Sequence, residues 1–183
     1  MVLFLLLVAF IFSSGPAHSQ AVQNTNKPER VSWFENLGFG MFIHWGVDVS
    51  LGVVISHSLA GASDEYVSKY MSELPAIFNP QNFHPDEWAA LAKLAGMKYV
   101  VFTAKHHSGF CMFNTRSTSF NVMNTPFKRD IVKEVIDAFR KQGIAIGIYF
   151  SPEDFNYFWH HQIPIGRLQL PQQYPVNNPG LMA

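Results

Sequence analysis

Three short apolar runs separated by two helix-like segments leave this chain few architectures to adopt. The first run, Gly38 to Gly46, is bracketed by glycines and reads as a strand buried on both faces. The second, Lys98 to Ala104, centres on Tyr99-Val100-Val101-Phe102-Thr103, and the third is Ile144 to Phe150. Between the first two, Pro85 to Gly96 has proline and acids in its first turn, alanine and leucine within and glycine at its end, the composition of a helix. Asp130 to Gln142 sets Ile131, Val132, Val135, Ile136 and Phe139 at helical spacing, and Gly143 closes it. Such an alternation builds an α/β structure with a parallel sheet and right-handed crossovers. Asp64 to Met71 is expected as a short helical turn, with loops over Pro75 to Phe83 and Ile163 to Ala183.

A doubly wound sheet and a (β/α)₈ barrel both begin this way. The barrel is favoured because histidines and aromatic residues recur at three successive strand ends, where a barrel gathers its active site. A nucleotide-binding doubly wound fold wants a glycine-rich first turn, and Trp45-Gly46-Val47-Asp48-Val49-Ser50 lacks that spacing. A barrel takes roughly 250 residues, so three strands amount to its N-terminal part, an incomplete one.

Charge narrows the partners. Lysine plus arginine and aspartate plus glutamate both count 13, so there is no basic field for nucleic acid, and a neutral substrate suits the balance. The single cysteine, Cys111, excludes an intramolecular disulfide framework and a cysteine-based zinc site. Val2 to Phe12 is apolar and precedes Ser13-Ser14-Gly15-Pro16. That run is well short of the roughly 20 residues a membrane span needs, and it reads as the core of a signal peptide over residues 1–19, cleaved after Ser19, which implies export. Residues 20–30 are polar and read as a flexible lead-in, with the folded domain over 31–183.

The residues able to do chemistry sit where strands end. His44 falls at the C-terminal end of the first run and His106-His107 follow the second, placing imidazole donors and acceptors at a cavity edge. Tyr149, near the end of the third, carries a hydroxyl that needs a polar partner if buried. Glu65 either opens a short helix or faces a ligand. Glu153 and Asp154 could supply acid or base chemistry, but Ser151-Pro152-Glu153-Asp154 has ordinary turn composition and is read as a turn, and Lys105 is expected to brace the strand end through an ion pair.

Four stretches together resemble family 29 of the glycoside hydrolases, the α-L-fucosidases. They are Trp33-Phe34 through Phe39-Gly40-Met41-Phe42-Ile43-His44-Trp45-Gly46; Phe83-His84-Pro85-Asp86-Glu87-Trp88-Ala89 with Ala95 to Val101; Thr103-Ala104-Lys105-His106-His107-Ser108-Gly109-Phe110; and Arg129-Asp130-Ile131 leading to Gly147-Ile148-Tyr149-Phe150-Ser151. The resemblance covers about residues 31 to 155. It implies a (β/α)₈-like domain that hydrolyses terminal α-linked L-fucose with retention, without a cofactor or metal, on a fucosylated oligosaccharide or glycoconjugate. It further implies that His44, His106, His107 and Tyr149 contact fucose hydroxyls, with Glu65 as a further sugar ligand, although Tyr66 stands where the family usually has tryptophan. A retaining glycosidase needs two carboxyl groups about 5 Å apart. By the resemblance the nucleophilic aspartate lies on a later strand, beyond Ala183, so this chain is expected to bind without turning over.

Two other readings fit parts of the pattern. One is a non-catalytic fucose-binding pseudoenzyme. The other is a metal-dependent hydrolase using the strand-end histidines. Adjacent histidines point to opposite faces of a regular strand, so the second reading requires the strand to break at His106.

Overall fold

The computed structural model describes residues 26–52 and 59–165. The signal peptide expected over 1–19 lies outside them, as does most of the tail expected from Ile163. Helix α1 (Pro28–Leu37) buries none of its residues, and Arg30 lies 5.5 Å over the ring of Trp33. It begins within the stretch expected as lead-in: Pro28 sets the first turn, where a missing N–H costs nothing, and Glu29 suits the helix dipole there.

From Asn36 onward the described residues belong to a second compact unit. Its order is β1 (Gly40–Ile43), α2 (Asp64–Ile77), α3 (Pro85–Leu94), β2 (Tyr99–Lys105), α4 (Ile131–Lys141), β3 (Ala145–Phe150) and α5 (Phe155–His160). All three strands run parallel in the order β1-β2-β3, as the alternation predicts. Val100 and Phe102 of β2 are fully buried. They share the core with Ala89 and Ala92 of α3 and with Ile131, Val135 and Phe139 of α4. Fully burying one such side chain stabilises by about 1.5–3 kcal/mol, which fixes which face of β2 the helices cover. Asp130 caps α4 by accepting from the N–H of Lys133 at 2.9 Å, and Gly96 and Gly143 follow α3 and α4 with φ of +78° and +69°.

Two expectations need correction, and one helix was not expected. β1 is not buried on both faces, since Phe42 is 51% exposed. The strand sits at the sheet edge, and the face that carries Phe42 is open among the described residues. α2 runs six residues past Met71 and through Pro75, where a loop was expected. Pro75 lies so near the end that the helix gives up little more than the N–H owed to the carbonyl of Met71. α5, an aromatic hexapeptide with no apolar periodicity to betray it, is started by Asp154, whose carboxylate accepts from the N–H of Tyr157 at 2.9 Å.

Behind β1 the chain buries a carboxylate. Asp48 is 5% exposed and accepts from the hydroxyl of Tyr70 at 3.0 Å. Burial raises its pKa, and the hydrogen bond from Tyr70 only partly offsets that. A raised folded-state pKa means that the group's contribution to stability is present in acid and lost as pH rises through that pKa. Asp48→Asn keeps an acceptor for Tyr70 and removes the charge. The variant is therefore expected to melt above the parent at pH 7, with the gap closing as pH falls below the ordinary carboxylate range. Melting curves across that range check it; a gap that widened in acid would contradict it.

Candidate functional site

Parallel pairing lays the C-terminal ends of the three strands side by side. The register sets Phe42 level with Val101, Val101 with Gly147, and Thr103 with Tyr149. Alternation puts these residues on the sheet face opposite Val100 and Phe102, and His44, two positions beyond Phe42, continues the same face. At the end of β2 the pairing with β3 is irregular between Thr103 and Lys105, and the strand stops there. The two histidines that follow are thereby released from strict alternation.

The outcome is one aromatic stack assembled from three strand ends. The ring of His106 lies 5.3 Å from Tyr149, nearly parallel at 20°, and 4.9 Å from His44. Phe42 packs edge-on against both His44 and Tyr149, at 5.7 and 5.8 Å. The hydroxyl of Tyr149 lies 3.5 Å from Nε2 of His106. His107 meets His106 edge-on at 4.6 Å and stacks on Phe155 of α5 at 5.6 Å. Four of the five candidate residues are thus brought together. His44 also lines a cavity of about 450 Å³ with Trp45, Phe83 and Trp88. Glu65 is the exception: it stands in the first turn of α2 with 67% of its side chain exposed, 3.9 Å from Lys69.

The loop after β3 clamps the loop after β2. Lys105, 5% exposed, donates to the backbone carbonyl of Glu153 at 3.2 Å and to the carboxylate of Asp154 at 3.1 Å, the bracing role its sequence position suggests. Backbone N–H groups of Ser151, Phe155 and Asn156 donate to the carbonyls of Lys105, His107 and Ser108. Gly109 makes room for this clamp. Its φ is +87°, and a Cβ there would stand 2.2 Å from Oδ1 of Asp154. Tyr70, held on α2 by Asp48, also hydrogen-bonds Ser108.

Ser151 escapes a reading of the sequence, and Glu153, which the sequence offers as an acid or base, is set aside there in favour of a turn. Ser151 Oγ lies 2.6 Å from Nδ1 of His107, and Oε2 of Glu153 lies 3.1 Å from the same atom. Both sit in a stretch with the composition of a plain turn; the signal that could have found them is the parallel order of the strands, which sets the loop after β3 beside His107. Among the described residues no group of three or more His, Cys, Asp or Glu side chains is placed to hold a metal ion.

The fold and the site define a parallel α/β unit that presents imidazole and phenol groups at its strand ends. A family model described as alpha-L-fucosidase matches residues 12–174, and the chain belongs to that family. It is 40% identical over 134 residues to tissue alpha-L-fucosidase of Rattus norvegicus, covering 65% of this chain and 29% of the relative. Among solved structures it resembles alpha-L-fucosidase isoenzyme 1 from Paenibacillus thiaminolyticus, with TM-score 0.67, 36% identity and coverage of 84% of this chain and 37% of that one. It also resembles a family 29 alpha-L-fucosidase from Bacteroides thetaiotaomicron, trapped as a covalent intermediate with 2-fluoro-fucosyl fluoride. There the TM-score is 0.61 and the identity 33%, over 71% of this chain and 31% of that one. The chain thus spans well under half the length of these relatives.

Proposed function

We propose that the protein to which this chain contributes hydrolyses terminal α-linked L-fucose from glycans with retention of configuration, and that this chain supplies the fucose-binding side of the site. The observation that carries the reading is the convergence of His44, His106 and Tyr149 from three different strand ends into one stack, with His107 against it. Fucose is a neutral 6-deoxy sugar. Its hydroxyls need donors and acceptors, which imidazole and phenol provide, and its methyl group needs an apolar wall, which Phe42 offers. Glu65 is carried as a fifth contact on the family resemblance alone, its carboxylate exposed at the start of α2 and available to a hydroxyl donor.

The three parallel strands fit the opening of a (β/α)₈ barrel. Apolar surface is exposed on both flanks of the sheet: Ile148 and Phe150 of β3 are 45% and 53% exposed, and an apolar groove of about 300 Å³ runs between β1 and α3. Further strands and helices would cover both. The nucleophilic and acid/base carboxylates are then assigned to those later units. Export fits the apolar run at Val2 to Phe12, and among the described residues no helix is long and apolar enough to cross a membrane.

The test compares the complete protein with this chain expressed from Gln20 onward. The complete protein is expected to release fucose from an aryl α-L-fucoside with the α-anomer formed first, and the chain alone to stay at background, since removing a nucleophile leaves little turnover. An inert complete protein would defeat the fucosidase reading. Robust turnover by the chain alone would place the nucleophile within it, at Glu153 or Asp154.

A further inference from the structure

We infer that Glu153, seconded by Ser151, is a positioning residue that fixes the tautomer of His107. Neutral imidazole carries one proton, on Nδ1 or on Nε2. A carboxylate oxygen 3.1 Å from Nδ1 is attractive if that nitrogen bears the proton and repulsive toward a bare lone pair. Both side chains are shielded from water, with 20% of His107 and 16% of Glu153 exposed, so solvent screens the interaction little. Ser151 Oγ, 2.6 Å away, offers the same N–H a second acceptor. Stacking on Phe155 fixes the plane of the ring. Lys105 in turn holds the segment that carries the carboxylate, through the backbone carbonyl of Glu153 and through Asp154.

The consequence is a defined polarity at the site. With its proton on Nδ1, His107 carries an unprotonated Nε2, an acceptor, and it selects a ligand group that donates. A sugar hydroxyl does so, whereas a carbonyl or carboxylate at that point is rejected. This assignment rests on the sugar-binding reading for its ligand, and on the Glu153 and Ser151 contacts at Nδ1 for the tautomer.

The two parts separate experimentally. In the complete protein labelled with ¹⁵N at histidine, long-range proton–nitrogen spectra without sugar are expected to show His107 as the Nδ1–H form, its signals assigned by their loss in His107→Gln. Glu153→Ala should move the ring toward the Nε2–H form and weaken fucose binding about three- to tenfold, as expected for one misoriented hydrogen bond. Glu153→Gln, which retains an acceptor, should restore both, and an unchanged melting temperature would show that the fold is intact. A parent ring found as Nε2–H, or a tautomer indifferent to Glu153→Ala, overturns the assignment. If Glu153→Ala changes the tautomer but not fucose affinity while His107→Ala abolishes binding, the role in recognition is overturned and the fucose site stands. If fucose affinity is insensitive even to His107→Ala, it is the fucose reading that fails.

Discussion

Replacing His106 or His107 by alanine in the complete enzyme is expected to lower kcat/KM roughly ten- to hundred-fold or more, with weaker fucose binding and an intact fold. A buried group placed to bond a substrate hydroxyl is worth on the order of 1–3 kcal/mol when its partner is left unpaired, and contacts that tighten in the transition state lower kcat as well as affinity. His106 lies within the stack between Tyr149 and His44, so its removal also deprives those rings of a neighbour. The larger loss is therefore expected there. Added zinc should restore neither variant, and a chelator should leave the parent unaffected. Steady-state kinetics on an aryl α-L-fucoside with and without chelator check this. Parental kinetics in both variants, or activity abolished by chelation, would remove the pair from the sugar site.

The largest structural effect is expected at Gly109. Alanine there must adopt φ near +87° and displace Asp154, because its Cβ would stand 2.2 Å from Oδ1 and 2.9 Å from Cγ. Left-handed backbone costs an alanine roughly 1–2 kcal/mol, and loss of the cap that starts α5 about 1 more. Moving Asp154 also opens the ion pair that holds the nearly buried Lys105. A destabilisation of about 2–4 kcal/mol is the expected sum, read as a lower denaturant midpoint at unchanged slope. Since the displaced segment carries Glu153, fucose affinity should fall with stability. Asp154→Ala made alongside Gly109→Ala should relieve part of the loss, as the clash disappears with the carboxylate. A Gly109→Ala protein of parental stability would mean that the clamp between the two loops is not as described.

Most of the frame was legible in the sequence because it depends on local chemistry. Pro85 and Gly96 mark the ends of α3, and Asp130 and Gly143 those of α4, through capping and positive φ, which operate within a few residues. The strand ends at His44, His106 and Tyr149 followed from those boundaries. What stayed hidden depends on contacts distant in sequence. Glu153 meets His107, 46 positions away, by way of a strand pairing that no window of sequence contains. The exposure of Phe42 depends on what covers the sheet, which the apolarity of β1 cannot report. α5 escaped because six aromatic-rich residues carry no period, although Asp154 is a recognisable cap once the turn before it is set aside.

The most direct measurement is a crystal structure of the complete protein with L-fucose bound. The expected result is one pyranose at the ends of β1, β2 and β3, its hydroxyls within hydrogen-bonding distance of His44, His106, His107 and Tyr149, and Nε2 of His107 accepting from one of them. Fucose seated elsewhere, with these four side chains in contact with no part of it, would contradict the assignment of the site.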